Sequence, residues 1–102
     1  MPVTILKFQR LARWDLEQIP EPEQRAVREA IDTVLSLSPQ QWPADRVRPR
    51  SPENRQYLLR ATPEWCVFFE LTSSGEIEVS QVVSEERLRF LRESWRKSGS
   101  SA

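Results

Sequence analysis

The stretch that decides the fold is QYLLRATPEWCVFFELTSSGEIEVSQVV, residues 56–83. It contains three runs rich in β-branched, aromatic and leucine residues, at 56–61, 65–71 and 76–83. The segments between them, TPE and TSSG, carry turn-forming residues and are short enough for hairpins. The stretch therefore predicts three consecutive antiparallel strands.

A short strand and a helical hairpin precede these strands. VTILKF, residues 3–8, is β-branched and apolar and predicts a strand. Apolar residues then recur at helical spacing on either side of PEPE, residues 20–23, whose prolines break the pattern. The apolar stripe of the first helix is Phe8, Leu11, Ala12, Leu16 and Ile19, and that of the second is Val27, Ala30, Ile31, Val34 and Leu35.

A last helix follows the strands. Ser84 is a good helix cap, and Leu88, Leu91 and Trp95 form one stripe after it. The predicted order is β-α-α-β-β-β-α, a small α+β domain in which an antiparallel sheet packs against the helical hairpin. We expect residues 1–97 to form a single domain and residues 98–102 to be a disordered tail.

The segment SPQQWPADRVRPRSPENR, residues 38–55, joins the second helix to the first strand of the meander. Its four prolines predict a connection over the surface, pinned to the core by Trp42. Residues 45–60 contain five arginines and only two acidic residues, so this segment has a local positive charge. The candidates for contact with phosphate or an acidic partner are Arg46, Arg48, Arg50 and Arg55. The alternative is a solvated loop balanced by nearby carboxylates.

Composition excludes several classes of site. One cysteine and no histidine leave no internal disulfide, no usual zinc site and no histidine-based triad. Two glycines cannot build a phosphate-cradling loop. The sequence thus indicates no cofactor and no metal. Without a signal-peptide pattern or a membrane-length apolar run, we expect a cytoplasmic protein with no membrane partner.

Strand parity gives Cys66 two interpretations. Cys66 and Phe68 point away from the helices, beside Leu58 and Arg60 on the paired strand. Cys66 is either a reactive thiol tuned by Arg60 or a small apolar residue in a covered patch. For Leu58, Cys66 and Phe68 we expect a cover, which is the chain's own C-terminal helix, a partner's helix or a second copy.

Other residues attract simpler interpretations. Four carboxylates could form catalytic pairs or a metal site, but edge-strand solubility and helix-start charge explain them better; they are Glu76, Glu78, Glu85 and Glu86. Trp14 lies off the buried stripe of its helix and suggests a contact with a partner.

The chain resembles the RelE/ParE superfamily, the toxins of bacterial type II toxin–antitoxin pairs. The likeness covers roughly residues 3–92 and is carried by FQRLARWDLEQIPEPEQRAVREAIDTVLSLSP and by QYLLRATPEWCVFFEL with GEIEVSQVV. In the first stretch the matching positions are Phe8, Ala12, Asp15, Leu16, Ile19, Pro20 and Ile31.

The resemblance implies two activities. RelE-like members cut messenger RNA on the ribosome with cationic residues on the open sheet face, and ParE-like members poison DNA gyrase. In both, a short antitoxin wraps the toxin, so the resemblance implies a cognate antitoxin, with the ribosome and its message or gyrase as target. A homodimer is left open.

Most catalytic positions of the nuclease branch are altered here. The resemblance puts Arg60 at a basic position of the sheet face and Arg87 at a further basic position. Leu58 and Cys66 stand where two more cations are expected. In the C-terminal segment Glu85 occupies the position where the resemblance expects a catalytic arginine. Phe90 and Leu91 occupy the positions where it expects a tyrosine.

RNA cleavage by the 2′-hydroxyl needs a base, an acid and cations that stabilise the phosphorane. That set is largely missing, so we expect a toxin-like protein that acts by binding its target. The alternatives are an active ribosome-dependent endonuclease that relies on Arg60 and Arg87, and a non-toxic interaction module of the same fold.

Overall fold

A computed structural model describes residues 5–51 and 55–100, and the side chains of these except at 51, 92 and 94–100. Five strands form one sheet in the order β1-β5-β4-β3-β2. The elements are β1 (Leu6–Phe8), α1 (Arg10–Gln18), α2 (Glu21–Leu35), β2 (Val47–Ser51), β3 (Gln56–Arg60), β4 (Trp65–Leu71), β5 (Ile77–Ser84) and α3 (Glu85–Ser100). The α+β class is confirmed.

The sheet is mixed and not purely antiparallel, because β1 pairs with β5 in parallel. The remaining neighbours are antiparallel, as the hairpin turns predict. The helical hairpin carries the chain from β1 to β2 at the opposite edge of the sheet. The antiparallel strands β2 to β5 then lead back across the sheet, and β5 lies beside β1 in the same direction.

The main core lies between the helical hairpin and one face of the sheet. Phe69 on β4 is at its centre, stacked on Tyr57 and met edge-on by Trp42. Trp42 also donates from Nε1 to the carbonyl of Leu37 at 3.1 Å. Trp42 therefore anchors the segment between α2 and the sheet, as predicted.

The hairpin stripes are buried with one exception. In α2 the predicted stripe is buried or half-buried throughout. In α1, Ala12 and Leu16 are buried but Leu11 is 51% exposed. The prediction for Leu11 is wrong, because a nine-residue helix against the sheet buries only a narrow stripe.

The predicted connection 38–55 contains an additional strand, β2, at the edge of the sheet. Val47 and Pro49 pair with Leu59 and Tyr57 on β3. Pro49 has no N–H, and the N–H of Val47 donates to the carbonyl of Pro43 at 2.9 Å. These two positions therefore offer no free donor on the outer edge of β2, which explains how a proline-bearing segment can end the sheet.

A bulge in β5 explains why its alternation slips. Val79 pairs with Phe69 and Gln81 pairs with Phe68, so Ser80 is an extra residue in the ladder. Beyond it Val82 faces the helices and Val83 faces the opposite side. Since β1 ends before this point, Asp15 of α1 accepts the N–H of Val82 at 3.0 Å.

Helix α3 begins at Glu85, and Ser84 Oγ accepts the N–H of Arg87 at 3.1 Å, as the predicted cap should. Leu88 is buried and Leu91 is half-buried, whereas the side chain of Trp95 lies outside those described. The helix continues through Ser100, past the predicted boundary at 97, and residues 101–102 are outside the described range. The domain limits and the disorder of the tail stay predictions.

Candidate functional site

Glu85 joins three elements on the sheet face opposite the helical hairpin. Its Oε2 accepts a hydrogen bond from Cys66 Sγ at 3.3 Å, and its Oε1 lies 3.2 Å from Nη2 of Arg60. Arg60 and Cys66 are register partners on β3 and β4. The first residue of α3 therefore lies directly over the paired strands.

Cys66 is fully buried, in a second apolar cluster with Phe68, Val83 and Leu88, against which Leu58 packs. Leu88 brings the chain's own α3 onto this patch, one of the covers considered for it. The thiol is buried and donates to the Glu85 carboxylate. This geometry fits the small covered residue and not the reactive thiol.

Glu85 also lies between the predicted pair of Cys66 and Arg60. Glu85 lies against both side chains and offsets the charge of Arg60. The predicted site residue Arg60 therefore lies on the sheet face opposite the helical hairpin, where it forms an ion pair with Glu85.

Arg46, just before β2, and Arg48, within it, lie beside this face with different neighbours. Arg46 donates from Nη2 to the carbonyl of Ala61 at 2.8 Å and from Nε to that of Arg60 at 3.3 Å. Arg48 is exposed beside Leu58, its register partner. Because Arg46 is occupied by the backbone, it reinforces the β2–β3 pairing.

Arg50 lies over the ring of Phe68, with its guanidinium carbon 4.2 Å from the ring centroid. The pairing of β2 is irregular between Pro49 and Ser51, and Arg50 falls in that irregularity. A cation stacked on the aromatic face extends the cover that Leu88 begins.

A small cleft of about 140 Å³ opens between β2 and β3. Its lining consists of Asp45, Arg46, Arg48, Leu58 and Arg60. Three guanidinium groups against one carboxylate make it an electropositive recess beside the apolar patch. It is the most suitable place on this face for a phosphate or a carboxylate of a partner.

Two predicted site residues lie elsewhere. Arg55 has φ of 54° and donates weakly to the carbonyl of Thr72 at 3.4 Å, at the other end of the sheet. Arg87 is exposed in the first turn of α3. The resemblance expects a tyrosine at the position of Phe90 or of its neighbour, and the side chain of Phe90 is 66% exposed.

The predicted carboxylates do not gather into a metal site. Within residues 5–51 and 55–100, no group of three or more Cys, Asp and Glu side chains is placed to hold a metal ion. Glu76 pairs with Lys7 at 3.0 Å. No helix in the described part of the chain has the length and apolar character to cross a membrane.

Sequence reasoning missed the central position of Glu85 and the presence of Asp45 in the cleft. The resemblance puts Glu85 at a site position, but its residue type suggests only helix-start charge, and neither predicts its contacts with Cys66 and Arg60. A signal was available, since Ser84 sets the helix start next to the end of β5, which the hairpin register puts beside the start of β4.

Comparison with solved structures shows which fold this is. A chain of the toxin–antitoxin complex RelBE2 from Mycobacterium tuberculosis matches 83% of this chain and 94% of its own length, with TM-score 0.66 and 20% identity. A chain of the archaeal RelE–RelB complex from Pyrococcus horikoshii matches 84% and 99%, with TM-score 0.67 and 14% identity. This chain has the RelE-type toxin fold.

A third match comes from the Escherichia coli DinJ–YafQ toxin–antitoxin complex, with TM-score 0.65 and 12% identity over 85% of this chain and 98% of that one. No protein-family model matches the sequence, and a search of curated proteins gives no match. At these identities the likeness concerns the fold, and the side chains of the site have to be interpreted in their own right.

Proposed function

We propose that the protein is the toxin-like component of a bacterial type II toxin–antitoxin system that acts by binding its target. The RelE-type fold supports the setting, since the similar structures are toxin–antitoxin complexes. The position of Glu85 supports the mode of action. A carboxylate bonded to both Cys66 and Arg60 lies where a nuclease of this fold would need free cations.

A carboxylate at a position that needs a cation should slow RNA cleavage greatly. A phosphorane carries negative charge that cations must stabilise, and the loss of one such contact costs about 10²–10³ in rate. Here Glu85 repels the phosphate and occupies Arg60, and Cys66 is buried. Two such losses together would remove most of the acceleration, so the usual endonuclease chemistry has little support.

Binding has better support because the cleft beside the patch keeps an accessible cation. Arg48 is exposed, and no ion pair involving it is found among the described residues. It would meet a phosphate group of the ribosome or an acidic segment of gyrase or of the antitoxin. Such contacts weaken steeply with salt.

Induced expression tests this proposal. We expect growth arrest from the wild-type chain, relief by co-expressed antitoxin, and weaker arrest from the Arg48→Ala variant. Arg28→Ala, on the exposed face of α2, is the matched control and should act as wild type. Absence of arrest at full expression would instead identify a non-toxic interaction module.

The target is distinguished by two assays. Inhibition of gyrase in a supercoiling assay, lost in Arg48→Ala, would identify the ParE-like mode. Arrest of translation without cleavage, with the protein bound to ribosomes, would identify the ribosome. The expected cytoplasmic location is common to both and belongs to this proposal.

A further inference from the structure

A second cleft lies on the side of the sheet that carries the helical hairpin, and neither Glu85 nor any arginine lines it. It has a volume of about 320 Å³ and opens between the first turn of α2 and the turn joining β3 to β4. Its apolar walls are Pro22 and Ala26 on the helix and Pro63 and Trp65 on the turn and β4. Neither the fold comparison nor the proposed function uses this surface.

The polar groups of this cleft are acidic. Glu23 and Glu64 lie on opposite walls, and Thr62 completes the lining. The lining residues, all of which belong to the described part of the chain, include no Lys or Arg. An apolar recess with two carboxylates is complementary to a side chain that has an apolar stem and a cationic end.

The walls are held in place before any ligand binds. Trp65 donates from Nε1 to Glu23 Oε2 at 3.1 Å, which fixes the carboxylate against the indole ring. Thr62 Oγ1 accepts the N–H groups of Glu64 and Trp65 at 3.3 and 3.1 Å. The N–H of Glu85 donates to the carbonyl of Glu64 at 2.8 Å. A preorganised recess loses little entropy on binding.

The amino end of α2 is nearby and would by itself favour an anion. Glu21 and Glu23 already lie in that first turn, and Pro22 contributes no N–H. The carboxylates therefore offset the positive helix end, and the remaining local preference is for a cation.

We propose that this cleft binds an arginine or lysine side chain of a partner protein. The cationic end lies near the indole of Trp65 and the carboxylates of Glu23 and Glu64, while its methylenes contact the prolines. The volume is at the lower end for ligand sites, which suits one side chain. The inference is independent of whether the protein is toxic.

Nuclear magnetic resonance of the full chain tests this site directly. The indole N–H signal of Trp65 is followed while N-acetyl-arginine methylamide is added, with N-acetyl-citrulline methylamide as the uncharged analogue of similar shape. We expect a saturable shift with the arginine derivative only. The indole signal of Trp14, which is exposed on α1, should not follow it.

The Glu64→Gln variant removes one carboxylate from an exposed turn without touching the Trp65–Glu23 hydrogen bond. This loss should raise the dissociation constant about two- to fivefold, as expected for one contact to a partly exposed cation. Glu29→Gln, on the exposed face of α2, is the matched control and should bind as wild type. Equal shifts with citrulline, equal shifts at Trp14, or unchanged binding by Glu64→Gln would overturn the proposal.

Discussion

Glu85 accepts a hydrogen bond from the buried thiol of Cys66, with 3.3 Å between Oε2 and Sγ. The resemblance to the toxin superfamily puts a cation at each of these two positions. The chain has instead a neutral donor and an anionic acceptor that satisfy each other, with Arg60 as the second partner of the carboxylate. This relationship leaves the face poorly suited to stabilising a phosphorane.

The cover over Cys66 should control access to its thiol. Leu88 is buried against the Cys66 cluster, so Leu88→Ala should cost about 2–5 kcal/mol and increase the rate of thiol modification by an aromatic disulfide reagent. Phe90→Ala, at an exposed position of the same helix, should change neither. Rapid modification of the wild-type thiol would show that α3 does not cover Cys66.

Arg46 and Arg48 should differ although they line the same cleft. Arg46 donates to the carbonyls of Arg60 and Ala61, so Arg46→Ala should lower the free energy of unfolding by about 1–3 kcal/mol. Arg48→Ala should stay within about 0.5 kcal/mol of wild type in the same urea titration. Equal losses for the two variants would contradict the structural role assigned to Arg46.

Asp15 supports β5 just beyond the bulge. Because Asp15 accepts the N–H of Val82, the Asp15→Ala variant leaves that donor unpaired and should cost about 1–3 kcal/mol in chemical denaturation. Asp15→Asn retains an acceptor and should lose less. Asp32→Ala, on the exposed face of α2, is the control, and an equally small effect for both alanine variants would refute the contact.

The β4–β5 turn requires a left-handed residue at Gly75, where φ is +87°. A methyl group there would meet no neighbour within 4 Å, so the cost of Gly75→Ala is conformational. We expect a loss of about 1–2 kcal/mol, measured by thermal unfolding. Ser73→Ala in the same turn should be nearly neutral, and a neutral Gly75→Ala would place the turn in another conformation.

Much of the fold was predictable because its elements have strong local patterns. The run WCVFFEL is β4 from its first to its last residue, and Pro20, the first residue of PEPE, lies between the two helices. The edge strand β2 was missed because Pro49 and three nearby arginines dominate its composition. The alternation of Val47 and Pro49 with Arg48 and Arg50 is typical of a strand. The pattern alone did not indicate a strand, because the pairing with β3 that confirms it is visible only in the structure.

The site was less predictable because its chemistry depends on contacts between distant segments. Parity placed Cys66, Leu58 and Arg60 on one face, and the structure agrees. No local pattern shows that Glu85 reaches Cys66 and Arg60, or that Arg46 is occupied by backbone carbonyls. Their identities suggested free charges, and their environments decide otherwise.

Cleavage of messenger RNA on programmed ribosomes tests the central claim most directly. Purified protein is incubated with ribosomes that hold a defined codon in the decoding site, and the message is mapped by primer extension, with a ribosome-dependent nuclease as positive control. We predict that the message remains intact, because the protein acts by binding its target and not by cleaving RNA. A cut in the decoding-site codon that is abolished by Arg60→Ala would contradict the account.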